Sequence, residues 1–142
     1  MPECEFPQSN ASSIEIAEIL RTSKIIAVVG LSPKPERPSY GVTVYMKDQG
    51  YTIIPVNPGH AELLGEKSYK SLLDIPGPID IVNIFREPSA VPEIVDQAIQ
   101  KKAKVIWMQE GIVHNEAAEK ARAAGLKVVM NKCIYKEHAR LT

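Results

Sequence analysis

The chain has 142 residues, 44% of them hydrophobic and 24% charged, enough for one compact core and too few for two. Seventeen Lys and Arg balance seventeen Asp and Glu, which excludes a global field drawing the protein to nucleic acid or to an anionic membrane, so any anion site must be local. Cys4 and Cys133 are too few for a disulfide framework, the first residues lack a signal peptide's basic start and apolar core, and no apolar run reaches membrane-spanning length. A cytoplasmic protein is expected.

Residues 1–11 read as a loose arm. Ser12 and Glu15 then have capping-box spacing ahead of Ile14, Ile16, Ala17, Ile19 and Leu20, which predicts a short amphipathic helix. Residues 24–29 form an apolar β-type run that stops at Gly30 and opens into a basic, proline-rich loop. A helix over 39–49 ends at Gly50, and a strand follows over 51–56. Residues 69–74 make at most one helical turn before Ile75-Pro76-Gly77-Pro78. Next come a strand over 79–84 and a helix over 90–102 with Val91, Ile94, Val95, Ala98 and Ile99 on one face. A strand over 104–108, a helix over 115–124 ending at Gly125 and a strand over 127–130 complete the series.

Repeated strand-helix alternation with runs apolar on both faces predicts an α/β, Rossmann-like three-layer sandwich built on a five-stranded parallel sheet. Right-handed crossovers leave few topologies. The expected strand order is 3-2-1-4-5, with a switch point between the first and fourth strands and a ligand crevice above it. The loops at the carboxyl ends of the strands are then 31–38, 57–65, 85–89 and 109–114.

These loops carry the candidate chemistry. Gly30 suits the positive φ of a tight turn, and Ser39 can cap the helix after it. Ser32, Lys34, Arg37 and Ser39 offer hydrogen bonds and positive charge to a phosphate beside a helix start, where Tyr40 can either pack or stack. A full G-x-G-x-x-G is absent, because Ser32 and Pro35 hold glycine positions. Asn57 stands where NAD-binding domains carry an acid, although its amide can still reach a ribose or phosphate. Phe85 and Arg86 can bring an aromatic face and a guanidinium to an adenine or its phosphate, and Gln109-Glu110-Gly111 lies across the crevice from Gly30. Any one of these loops alone is an ordinary turn; their convergence on one edge is the argument.

Cys133, just past the last strand, falls near the same edge, with Lys132 beside it. Glu137 and His138 could join it in a Cys-His arrangement, but proximity in sequence does not supply the hydrogen bond this needs. His60 and His114 have no metal-ligand spacing, so no metal is expected. Trp107, Tyr45, Tyr51 and Tyr69 read as packing residues.

The run from Val29 to Tyr40, then Pro55-Val56-Asn57-Pro58, Asp74-Ile75-Pro76, and Asn131-Lys132-Cys133 with Glu137 and His138 together resemble the small stand-alone CoA-binding proteins of bacteria and archaea. These are similar to the CoA-binding Rossmann domain of the succinyl-CoA synthetase alpha subunit, and the resemblance covers residues 14–141. It implies coenzyme A or an acyl-CoA in the crevice, with phosphates at the Gly30-to-Ser39 loop. The implied contacts are Gly30, Leu31, Ser32 and Lys34; Val56, Asn57 and Pro58; Ile84, Phe85 and Arg86; and Met108, Gln109, Glu110 and Gly111. Where the synthetase has a lysine after its second strand this chain has His60, so Lys34 or Arg37 is expected to replace it. The synthetase's phosphorylated histidine belongs to a domain outside the matched region, so ligase activity by transfer is not implied. Cys133 could form a mixed disulfide with the CoA thiol. The expected function is therefore a non-catalytic CoA-binding module, with no protein partner identified. The alternatives are an enzyme acting on an acyl-CoA or nucleotide derivative with a partner chain, an NAD-type redox module, and a structural interaction protein.

Overall fold

The computed structural model describes residues 6–141; Cys4 lies outside them. The Ser12 hydroxyl accepts from the Glu15 N–H at 3.1 Å, and the Glu15 carboxylate accepts from the Ser12 N–H at 3.0 Å. This reciprocal pair satisfies two orphan donors and opens α1 (Ser13–Thr22). The chain continues through β1 (Ile25–Val29), α2 (Pro38–Asp48) and β2 (Thr52–Val56). A two-stranded hairpin, β3 (Glu62–Leu63) with β4 (Glu66–Lys67), and a 3-10 turn at Leu72–Asp74 lead to β5 (Ile81–Ile84). A further 3-10 turn at Pro88–Ala90 enters α3 (Val91–Lys101), followed by β6 (Val105–Met108), α4 (Asn115–Ala123), β7 (Lys127–Val129) and α5 (Ile134–Ala139).

Five parallel strands form one sheet in the order β2-β1-β5-β6-β7. Successive side chains alternate between its faces. Ala27, Val29, Val82, Ile84, Ile106 and Met108 pack toward α3 and α4, while Ile26, Val28, Ile81, Val105 and Trp107 pack toward α1, α2 and α5. Both faces are covered, which is why β1 and β6 read as continuous apolar runs and β5 as one broken only by the buried Asn83.

The three-layer architecture and all five principal strands are as expected, but their order is not. In sequence order they lie 2-1-3-4-5, so the expected 3-2-1-4-5 is corrected. Pro55 supplies a physical reason. Its carbonyl points away from β1 and accepts from the Tyr69 N–H at 3.0 Å, while the Asn57 N–H donates to the Tyr69 carbonyl at 2.9 Å. Proline has no N–H to give on that outer side, and the chain returning from the hairpin covers the rest of it. β2 is thus an edge strand, and the third principal strand docks on the other side of β1. The Asp80 carboxylate joins the two starts, accepting from the Lys24 and Ile25 N–H groups at 2.8 and 2.9 Å. Burial pushes the Asp80 carboxyl up, but those two hydrogen bonds and the Lys104 ammonium outweigh it and hold it below its ordinary value.

Other departures are local. The hairpin and α5 are not expected from sequence, and α2 begins at Pro38 rather than Ser39. Residues 6–11 form no helix or strand, yet they are tied to the body. The Asn10 side chain accepts from the Met130 N–H and donates to the Met130 carbonyl, both at 2.9 Å, and the Arg122 guanidinium donates to the Ser9 carbonyl at 3.0 Å. Asn10 thereby pairs with the open edge beyond β7 as a neighbouring strand would. Among the described residues no helix is long and apolar enough to cross a membrane.

Candidate functional site

β1 ends at Gly30, whose N–H donates to the Val56 carbonyl at 3.1 Å and whose φ is +91°. A Cβ there would lie 2.5 Å from the Phe85 carbonyl oxygen and 3.2 Å from Cδ of Arg86. Only glycine lets the loops after β1 and β5 approach this closely. The resulting crevice sits at the switch point between β1 and β5, not between the first and fourth principal strands. It has two lobes that share Gly30 and Arg86, one of about 600 Å³ and one of about 420 Å³.

The larger lobe is bounded by the basic loop. The Ser39 hydroxyl accepts from the Ser32 N–H at 3.0 Å, and the Ser32 hydroxyl accepts from the Lys34 N–H at 3.1 Å, so the two serines fold the loop on itself. Ser39 is therefore not the cap of α2, as expected from sequence. The N-cap is Arg37, with no side-chain cap hydrogen bond; Pro38 opens the helix and its first turn holds no acidic residue. The positive end of the helix dipole thus meets no acidic side chain of its own first turn, beside Lys34 and Arg37, which line the same lobe as the paired Glu87 and Glu110.

The far end of this lobe is formed by Gln109, Glu110, Gly111, Ile112 and Cys133. The Gln109 side-chain oxygen accepts from the Ile134 N–H at 3.0 Å, Asn131 accepts from the Gly111 N–H at 2.7 Å, and Glu110 pairs with Lys136 at 3.1 Å. The loops after β6 and β7 are thus clamped together, with Cys133 at the start of α5 and 6% exposed. The Arg86 guanidinium forks onto the adjacent Glu87 carboxylate at 3.3 and 3.1 Å, and these hydrogen bonds hold the Glu87 carboxyl below its ordinary value.

Other sequence candidates divide by role. Leu31, Ile84 and Met108 are wholly buried and Val56 nearly so, which places their side chains in the core. The Leu31, Ile84, Met108 and Val56 carbonyls accept from Asn57, Gln109, Lys132 and Gly30 respectively, so these residues frame the crevice. Asn57 and Pro58 line the smaller lobe. The Asn57 amide is engaged at both ends, donating to Leu31 at 2.9 Å and accepting from the Gly59 N–H at 2.8 Å. Phe85 lines the larger lobe, whereas Tyr40 is half-buried and lines neither. His138 sits beneath α2, its Nδ1 3.0 Å from the Tyr45 hydroxyl, and no hydrogen bond joins it to Cys133 among the described residues. His114 caps α4 by accepting from the Ala117 N–H, and no cluster of three metal-ligating side chains occurs among the described residues.

Glu87 and Ile112 of the larger lobe fall within the expected loops 85–89 and 109–114 without being singled out, whereas sequence reasoning missed Val42 there and Lys70, Glu93 and Gln97 in the smaller lobe. Lys70 arrives through the unforeseen hairpin, whose signal was the Leu64-Gly65 turn with both residues at positive φ. Another depression, of about 480 Å³, lies at the opposite edge where α1, α3 and α4 end. Lys102, Lys104 and Lys127 line it together with the carboxyl ends of those helices, and Lys104 and Lys127 are already paired with Asp80 and Glu18.

A parallel sheet with a glycine turn, an uncapped helix start and a crevice at the switch point defines a Rossmann-like ligand-binding domain. The chain belongs to the CoA binding domain family, whose model matches residues 24–139. It is 48% identical over 130 residues to YneT, an uncharacterized protein of Bacillus subtilis, covering 92% of this chain and 96% of that one. It is 32% identical over 128 residues to the alpha subunit of an ADP-forming acetate–CoA ligase of Pyrococcus furiosus, covering 79% of this chain but only 28% of the subunit. A solved structure of a hypothetical protein from Pyrococcus horikoshii superposes with a TM-score of 0.91 at 46% identity, covering 99% of each chain.

Proposed function

We propose that the protein binds coenzyme A, free or acylated, in the crevice between the loops after β1 and β5, as a cytoplasmic binding module without catalysis of its own. The observation that carries this reading is the uncapped start of α2, flanked by Lys34 and Arg37 and opening onto the crevice, in a member of the CoA binding domain family. The pyrophosphate lies against this helix end, where the helix dipole and two cations meet it. The pantetheine arm runs along the larger lobe toward Gln109, Gly111 and Cys133, and the adenosine enters the smaller lobe. NAD fits less well. Asn57 offers no carboxylate to a ribose diol, and its amide is already committed to Leu31 and Gly59.

Cys133 stands at the thiol end of this path. Exchange of its thiol with a CoA-containing disulfide would form a Cys133–CoA bond and release the disulfide's other half as a thiol, with no net redox change. A second reading, in which a partner chain supplies catalytic groups, is supported by the relation to the ligase alpha subunit; turnover of acetyl-CoA with a partner would establish it.

The test is native mass spectrometry of the purified protein with coenzyme A and, separately, with NAD, each with and without reductant. The proposal expects one coenzyme A per chain, retained under reductant. A complex lost on reduction would reveal a disulfide-linked adduct, formed by exchange with coenzyme A disulfide in the sample, in place of phosphate recognition. Preference for NAD, or binding of neither, would overturn the proposal.

A further inference from the structure

We propose that Lys70 reads the 3′-phosphate of coenzyme A. The assignment rests on the coenzyme A reading above and adds to it the residue that sets specificity in the smaller lobe. With the pyrophosphate at the start of α2, the adenosine and its 3′-phosphate lie beyond the Gly30–Arg86 junction. The charged side chains lining that lobe are Lys70, Arg86 and Glu93. Arg86 is forked onto Glu87 and Glu93 repels an anion, whereas no hydrogen bond or ion pair engages the Lys70 ammonium among the described residues.

The backbone beneath Lys70 is fixed on both sides. Tyr69 is bonded through its N–H and carbonyl to the edge of β2. Ser71 caps the following 3-10 turn by accepting from the Leu73 N–H at 3.2 Å, and the Leu72 N–H donates to Gln97 on α3, also at 3.2 Å. A free ammonium on a flexible stem therefore rises from an anchored base beside a lobe that has no other uncommitted cation. That arrangement suits a terminal phosphate dianion, which a lysine meets as a point charge without fork geometry. His60, which stands where the synthetase has its lysine, does not line the lobe.

The test compares binding of coenzyme A and dephospho-coenzyme A by calorimetry in the wild type, Lys70→Gln, Lys70→Arg, and a Lys34→Gln/Arg37→Gln double variant. The wild type should prefer coenzyme A. K70Q should lose about ten-fold in coenzyme A affinity while its dephospho-coenzyme A affinity stays within about two-fold, and K70R should keep the preference. The double variant should weaken both ligands alike. Undiminished preference in K70Q, or loss of preference in the double variant alone, would overturn the assignment while leaving the coenzyme A reading intact. Binding of neither ligand by the wild type would overturn both.

Discussion

Replacing Gly30 by Ala tests the geometry on which the crevice depends. An alanine at φ +91° costs about 1–2 kcal/mol in backbone conformation alone. Its Cβ would also stand 2.5 Å from the Phe85 carbonyl oxygen, so that oxygen must retreat by 0.5 Å (3.0 minus 2.5) to reach even the closest separation found for real Cβ atoms. The retreat is resisted, because the Phe85 N–H donates to the Val29 carbonyl at 2.9 Å and continues the β1–β5 pairing. Together these effects predict a loss of about 3 kcal/mol, a large share of a domain's roughly 5–15 kcal/mol, and a melting temperature lower by roughly 10 °C. Gly111→Ala is the control. Its φ is +85° but no atom lies within 4 Å of its Cβ position, so only the conformational cost of about 1–2 kcal/mol applies. Calorimetric melting of both variants measures the difference, and coenzyme A titration of G30A should show weaker binding as the loops part. A G30A protein as stable as G111A would refute the close-approach argument.

Three further outcomes follow from the same geometry. Glu87→Gln should release Arg86 and remove a negative charge from the crevice, tightening coenzyme A binding by about two- to five-fold at low salt and less at high salt; calorimetry at two ionic strengths would show it, and equal affinities would place the pair outside the ligand's field. Asp80→Asn should cost about 1–2 kcal/mol at neutral pH. Because the folded carboxyl titrates below its ordinary 3.8, its contribution is complete above that value and is lost as pH falls through the folded value, so wild type and D80N should converge in strong acid in urea-melt series. Asn10→Ala removes both hydrogen bonds to Met130 and should cost about 1–2 kcal/mol, with faster hydrogen exchange at the Met130 amide; unchanged exchange would mean that Asn10 does not secure that edge.

The principal strands were legible because a sheet covered on both faces requires apolar runs, and those at 24–29, 79–84 and 104–108 are bounded by turn residues. Their order was legible too, in Pro55, whose missing N–H marks β2 as an edge. That signal is easily passed over when crossover handedness alone guides the topology. The starts of the four carboxyl-end loops were placed correctly because strand ends fix them whatever the strand order, although the second runs into the hairpin and the first includes the residue that begins α2. What stayed hidden depends on contacts distant in sequence. The hairpin strands are two residues each, too short for a period, and they deliver Lys70 to a lobe whose remaining residues come from the ends of β1 and β2, the two 3-10 turns, Arg86 after β5, and α3. Ser39 carries a cap's chemistry, but Pro38 begins the helix one residue earlier and turns that hydroxyl to Ser32. Asn57 suggested a ligand contact; in the fold its amide fastens the loop after β2 to the loop after β1.

The most direct test of the central claim is a titration of isotope-labelled protein with coenzyme A, followed by backbone amide resonances. Shifts concentrated at Gly30, Ser32, Arg37, Ser39, Arg86 and Gly111, with Thr22, Lys102 and Gly125 at the opposite edge unmoved, would place the ligand in the switch-point crevice as proposed. Shifts clustered at that opposite edge, or none at any coenzyme A concentration, would contradict it.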